Sequence, residues 1–248
     1  MARISAFLPV LLLAACVAPE EAPPAVVPVA ATTIDPVRAL AESVLERMGG
    51  REAWERTRFL HWAFFGRREH WWDKRTGDVR IEGDDLVLVM NVRTKEGRAW
   101  RGGREVVDPN ELAGLMDRGF AWWVNDSYWM FMPYKLLDPG VRLRDLGPGT
   151  MADGRTARVL ELTFDGVGLT PDNKYEVFVG EETGLVEQWS FYVNAADEEP
   201  RFTGPWSGWE RFGAILLATG RGRGHDWSIS VHDHLPGWVL EGMEPRAR

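Results

Sequence analysis

Along the chain the apolar positions change period twice. Val37, Leu40, Ala41, Val44, Leu45 and Met48 recur at helical spacing. Asp35-Pro36 supplies a cap and a first-turn proline, and Gly49-Gly50 a stop, so the pattern predicts an amphipathic helix over 36–48. Residues 52–56 add a short turn that carries Trp54. From Thr57 the period becomes two. Residues 58–65 (RFLHWAFF), 67–72 (RREHWW), 78–82 (DVRIE), 86–93 (LVLVMNVR) and 98–101 read as strands separated by the turn-forming runs 73–77, 83–85 and 94–97. Links this short predict an antiparallel meander.

A second helix starts at Asp108-Pro109-Asn110-Glu111, where an acidic cap, a proline and a glutamate fall at capping-box spacing. Leu112, Leu115, Met116, Gly119, Phe120 and Trp123 hold one face of it. The helix then runs into residues 118–140 (RGFAWWVNDSYWMFMPYKLLDPG), which concentrate Phe120, Trp122, Trp123, Tyr128, Trp129, Met130, Phe131, Met132 and Tyr134. Asn125-Asp126-Ser127 predict a break and a recapped turn, Pro133 a stop, and Asp138-Pro139-Gly140 a return to sheet. Strand patterning resumes over 142–146, 156–164, 174–179, 185–193, 212–219 and 227–234. In the second of these Leu160, Leu162 and Phe164 oppose Glu161 and Thr163, so one face is wet and one covered. No repeat of fixed period appears, which disfavours a propeller or solenoid. The expected fold class is mainly β with capping helices (α+β): a curved, antiparallel, unclosed half-barrel in a single domain over 34–248, with 118–140 as a lid across its open side.

The N-terminus adds a location. Met1-Ala2-Arg3 is a short positive region, residues 4–13 are apolar but too few to span a bilayer, and Leu13-Ala14-Ala15-Cys16 ends in a cysteine. This looks like a bacterial lipoprotein signal peptide over 1–15 with its lipobox. The resemblance implies cleavage before Cys16 and acylation there, with two or more acyl chains holding the chain firmly to a membrane. Val17 and Ala18 follow the cysteine with no adjacent aspartate, and by resemblance to Gram-negative lipoproteins this favours the outer membrane, facing the periplasm. Residues 17–33 (VAPEEAPPAVVPVAATT) have no period and read as a semi-extended tether. Cys16 is also the single cysteine of the chain, so no internal disulfide and no thiolate metal cluster can form. The formal charge of −8 becomes −9 without residues 1–15, which hold only Arg3, and this argues against nucleic acid as a partner. Thirteen Trp and 26 Gly suit an aromatic-rich β-protein with many tight turns.

Candidate chemistry is sparse. The sequence has no HExxH, GxSxG, Walker or CxxC motif. Gly220-Arg221-Gly222-Arg223-Gly224 precedes a strand and not a helix, so it reads as a hairpin tip and not as a phosphate loop. His232 and His234 would project to one side of a strand and are weak metal candidates, but Ser228 and Ser230 share their row and make it a solvated polar face. His61 and His225-Asp226 lack a nucleophile partner. Asp165, Asp172 and Asn173 do not match a calcium loop and fit turn chemistry around Gly166, Gly168 and Pro171. Glu69, Asp73, Asp78 and Glu82 nominate no acid and base pair. Neither an enzyme nor a cofactor is expected.

The aromatic set supports two readings. Trp62, Phe64, Trp71, Leu88, Met90, Trp123, Trp129, Phe131, Phe178, Trp189 and Phe191 could each be core. A curved sheet with two helices has limited cover for so many rings, and a cavity for an apolar guest with adaptable Met walls is the other reading. Its binding candidates are Trp62, Phe64, Leu88, Met90, Trp123, Trp129, Phe131 and Trp189. The lipoprotein cysteine, the Pro/Ala spacer, a helix ending in MGGREAW, the WAFF strand and the WVNDSYWMFMPYKLLDPGV segment together resemble bacterial envelope lipoproteins related to the LolA and LppX group of lipoprotein and lipid carriers. The resemblance implies a half-barrel whose concave apolar face handles a lipid, an acyl chain or a lipoprotein. LolA itself is a soluble shuttle, whereas Cys16 would tether this chain, which favours a fixed receptor or ligand-holding protein. The alternatives are a structural or assembly lipoprotein with a packed aromatic core that binds another envelope protein, and an enzyme using a polar lumen and the two histidines.

Overall fold

The structure is a computed structural model that describes residues 35–222 and 227–241. Cys16, the leader, the tether and His225-Asp226 lie outside the described residues. Helix α1 (Pro36–Arg47) starts where expected, with the Asp35 carboxylate accepting the Val37 N–H at 3.0 Å. It buries Ala41, Val44 and Leu45. Gly49 follows at φ 113°, and a Cβ there would lie 2.2 Å from the Ala214 carbonyl oxygen, so only glycine fits this turn. Residues 50–56 form a helix of their own, α2 (Gly50–Arg56), whose Trp54 stacks on Tyr134 with ring centroids 4.3 Å apart.

The meander is present. Strands β1 (Phe59–Phe64), β2 (Arg68–Asp73), β3 (Asp78–Gly83), β4 (Leu86–Asn91), β5 (Gly97–Arg101) and β6 (Arg104–Glu105) pair in sequence order, and β14 (Ile229–His232) adds to the free edge of β1. A second antiparallel sheet holds β7 (Val141–Thr150), β8 (Thr156–Phe164), β9 (Lys174–Gly180), β10 (Val186–Tyr192) and β11 (Phe202–Pro205). A hairpin of β12 (Ser207–Phe212) and β13 (Ile215–Gly220) continues from it, joined where the Trp206 N–H donates to the Glu187 carbonyl at 2.8 Å. The sheets are antiparallel and unclosed and are packed by helices, as the patterning predicts. They are separate pieces because a long helix intervenes between β6 and β7. Residues 212–219 are also not one strand, since Gly213 at φ 62° turns the chain between β12 and β13.

That helix, α3 (Pro109–Phe131), has 23 residues and is capped by Asp108, whose carboxylate accepts the N–H groups of Asn110 and Glu111 at 3.1 and 2.8 Å. The expected break at Asn125-Asp126-Ser127 does not occur. Asp126 does not recap a turn, because its carboxylate is drawn into the protein by Arg68 and His70 of β2. The α-helix ends two residues before Pro133, and a 3-10 turn, Met132–Lys135, carries the chain through the proline. Among the described residues no helix is long and apolar enough to cross a membrane.

Helix α3 is packed against both large sheets. A Cβ at Gly119 would meet Leu88 at 2.7 Å and Met90 at 2.8 Å, so the glycine sets how closely α3 lies on β4. On the other side Trp129 meets Trp189 edge-on at 4.6 Å, and Tyr128 lies 5.2 Å from Tyr175. Trp62 and Phe131, both fully buried, pack edge-to-face at 5.2 Å. Each such side chain contributes about 1.5–3 kcal/mol by leaving water.

Candidate functional site

Where the C-terminal half of α3 lies over the second sheet, two clefts open beside Trp129. The first, about 390 Å³, has Trp123, Tyr128 and Trp129 of α3 on one side and Phe164 and Tyr175 of β8 and β9 on the other. Val167 and Leu169, in the loop 165–173, cover it and are themselves exposed. Lys135 and Asp138, paired at 3.3 Å, stand at its border. The Tyr128 hydroxyl and Trp123 Nε1 are buried without a hydrogen-bond partner. Burial pushes the Tyr128 phenol well above its usual pKa, with Tyr175 and Asp138 adding to the effect, so it stays a neutral donor.

The second cleft, about 470 Å³, is lined by Phe65, Trp129, Trp189, Phe191, Arg201, Phe202, Arg221 and Trp227. Trp129 is therefore a wall of both. The inner surface comprises Trp189, Arg221 and Trp227, which are 1%, 5% and 5% exposed, and the outer one Arg201 and Phe202, which are exposed. Arg221 is not the hairpin tip its flanking glycines suggest. Its guanidinium lies over Trp206 at 3.6 Å and near Trp227 at 5.3 Å, and donates to the carbonyls of Ala218, Gly220 and Met130.

A polar cluster lies under α3 on its other side. Arg68 holds Asp126 through Nε and Nη2 at 2.7 and 2.8 Å, and His70 Nε2 lies 2.8 Å from the same carboxylate. His70 and Asp126 are fully buried, and the imidazole stacks on Trp62 at 4.6 Å. Burial alone would raise the Asp126 carboxyl, but the hydrogen bonds from Arg68 and His70 outweigh it and hold the group below its usual range. Burial lowers His70 against the opposing pull of Asp126. No hydroxyl or thiol is bonded to this His70 to make a hydrolytic set, and the cluster fastens α3 to β2.

Of the residues singled out from the sequence, Trp123, Trp129 and Trp189 line the clefts. Trp62, Phe64, Leu88, Met90 and Phe131 are buried in the core and line neither. Trp71 faces elsewhere, stacked on His61 at 4.6 Å. His232 and His234 do not share a strand row, because β14 ends at His232, which instead lies 2.8 Å from Ser230 Oγ. Among the described residues no group of three or more His, Cys, Asp or Glu could hold a metal. Sequence reasoning missed Tyr128, Tyr175, Phe164, Val167 and Leu169 in the first cleft, and Phe65, Arg201, Phe202, Arg221 and Trp227 in the second. Phe65 was within reach, as the last ring of the WAFF run. Arg221 was not, since its setting comes from Trp206 and Met130, distant in sequence.

No family model and no curated protein sequence matches this chain significantly. Among solved structures it is similar to a DUF1329 family protein from Desulfovibrio piger, at 14% identity and a TM-score of 0.40 over 84% of this chain and 98% of that one. It is also similar to the complex of MucA and MucB from Pseudomonas aeruginosa, at 22% identity and a TM-score of 0.23 over 61% of this chain and 50% of that one. Both likenesses are too loose to bear on function, and the fold described above rests on this chain's own strand pairing.

Proposed function

We propose that this protein is a membrane-tethered envelope lipoprotein that binds a hydrophobic molecule, an acyl chain or a lipid, in the clefts beside Trp129. The observation that carries the reading is the pair of ring-lined clefts on either side of one tryptophan. Their sizes fall in the range of small-molecule sites, and a few polar atoms are set among apolar walls. The lipobox ending in Cys16 supports the tether, and Val17 and Ala18 after it, with no adjacent aspartate, support the outer-membrane location. The chain has no catalytic role in this reading. A second reading, a structural or assembly lipoprotein that binds another envelope protein, draws support from the tight packing of Trp62, Leu88, Met90 and Phe131.

Titration with a neutral, environment-sensitive naphthylamine probe separates the two. Ligand binding predicts saturable enhancement that Trp129→Ala alters, while a wholly packed protein leaves the probe dark. The tether is tested separately by metabolic labelling with an alkyne fatty acid. Label that is lost in Cys16→Ala supports it, and equal labelling of the variant contradicts it.

A further inference from the structure

Among the described residues the second cleft is lined by two charged side chains, both cationic, and by no carboxylate. Arg221 is the unusual one. Four arginines of this protein present the edge formed by Nε and Nη2 to a carboxylate: Arg58 to Asp73, Arg68 to Asp126, Arg144 to Glu161 and Arg158 to Asp145. That planar fork is the geometry that suits guanidinium to a carboxylate. In Arg221 the same edge meets no carboxylate among the described residues. Nε is buried with no partner, Nη2 makes one long bond of 3.3 Å to the Met130 carbonyl, and the remaining bonds come from Nη1.

A buried guanidinium with carbonyls but no counter-charge is costly, and here burial lowers the Arg221 pKa to about 9. Two more residues of the same lining, Trp189 and Trp227, each have an indole N–H buried without an acceptor. The polar side-chain atoms among the described lining residues are thus all donors, although buried indole N–H groups without an acceptor also occur outside this cleft, at Trp62, Trp72, Trp100 and Trp206. The complementary guest is apolar along its length and ends in a group that only accepts, and an ionised carboxylate is such a group.

Building on the reading that the protein binds a hydrophobic molecule, we propose that the second cleft takes a monocarboxylate amphiphile of the fatty-acid class. Its carboxylate pairs with the Nε and Nη2 edge of Arg221, and its chain lies among Phe65, Trp129, Phe191 and Trp227. Arg201, at the outer end, is exposed to solvent, where a charge pair is worth little, and has no part in holding the carboxylate.

The test measures displacement of the naphthylamine probe from the folded chain by laurate, by dodecanol and by dodecyl phosphate. Laurate should bind roughly tenfold or more tightly than dodecanol, as expected for a hydrogen-bonded charge pair. Arg221→Gln should reduce laurate to the affinity of dodecanol, Arg221→Lys should restore only part of the difference because it lacks the fork, and Arg201→Gln should keep it. Equal binding of laurate and dodecanol by the unaltered protein overturns the proposal and leaves the hydrophobic-ligand reading standing, and this comparison needs no variant to fold. A preference for laurate that survives in Arg221→Gln, or that disappears in Arg201→Gln, overturns the assignment to Arg221. Tighter binding of dodecyl phosphate than of laurate overturns the carboxylate. If neither the probe nor any amphiphile binds, both the proposal and the reading beneath it fail.

Discussion

Asp126 shows how one side chain can override a local signal. In sequence it sits in Asn-Asp-Ser, a run that ordinarily caps a helix, yet it is fully buried and accepts from Arg68 and His70. Removing one member of such a buried set leaves the others uncompensated. Asp126→Ala should therefore cost about 3–5 kcal/mol in urea unfolding, far more than loss of an exposed ion pair such as Arg38 with Glu42. The same cluster sets a pH dependence. His70 has a folded pKa below its ordinary 6.5, so as pH falls below that value the unfolded chain gains a proton first and stability drops. Asp126, also lowered, adds a further loss as pH falls below 3.8 through its folded pKa. Thermal midpoints should decline as pH falls below 6.5, and His70→Gln should flatten the upper part of that decline. A profile identical in the variant would contradict the assignment.

At the scale of the element, α3 decides the arrangement of the molecule. Its start was legible, since the Asp108-Pro109-Asn110-Glu111 cap acts through local hydrogen bonds that depend on neighbours in sequence. Its length was not, because what carries the helix through Asn125 and Ser127 is a partner on β2 some 58 residues earlier. The two small changes that test it differ in size. Asp108→Ala removes an exposed cap and should cost about 1 kcal/mol. Gly119→Val inserts bulk against Leu88 and Met90, where the approach is already within van der Waals contact, and should cost about 1–3 kcal/mol or more. Chemical denaturation of both variants checks the order, and equal effects would mean that α3 does not bear on β4 as described.

For the whole molecule, the meander from β1 to β5 was legible because each strand pairs with its neighbour in sequence, whereas β14 on the edge of β1 depends on a contact far along the chain. The candidate site was legible in composition more than in position. The 118–140 segment does supply the shared wall, Trp129. The expected binding face of Trp62, Leu88 and Met90 is instead filled by α3 itself, with Gly119 allowing close approach. The open space lies on the other side of the helix, against the second sheet, where alternation along β8 and β9 gave no sign of a partner. Trp129 thus joins two clefts and not one concave lumen. A purely structural Trp129 predicts that its replacement by alanine costs about 3–5 kcal/mol with no change in ligand uptake, whereas a wall between two binding clefts predicts altered uptake with a smaller loss.

Whether this protein holds a hydrophobic guest can be read from native mass spectrometry of the full chain after gentle extraction from membranes. The unaltered protein should carry a reproducible adduct of lipid or fatty-acid mass, diminished in Trp129→Ala. A bare protein that also takes up no added fatty acid would contradict the binding of such a guest.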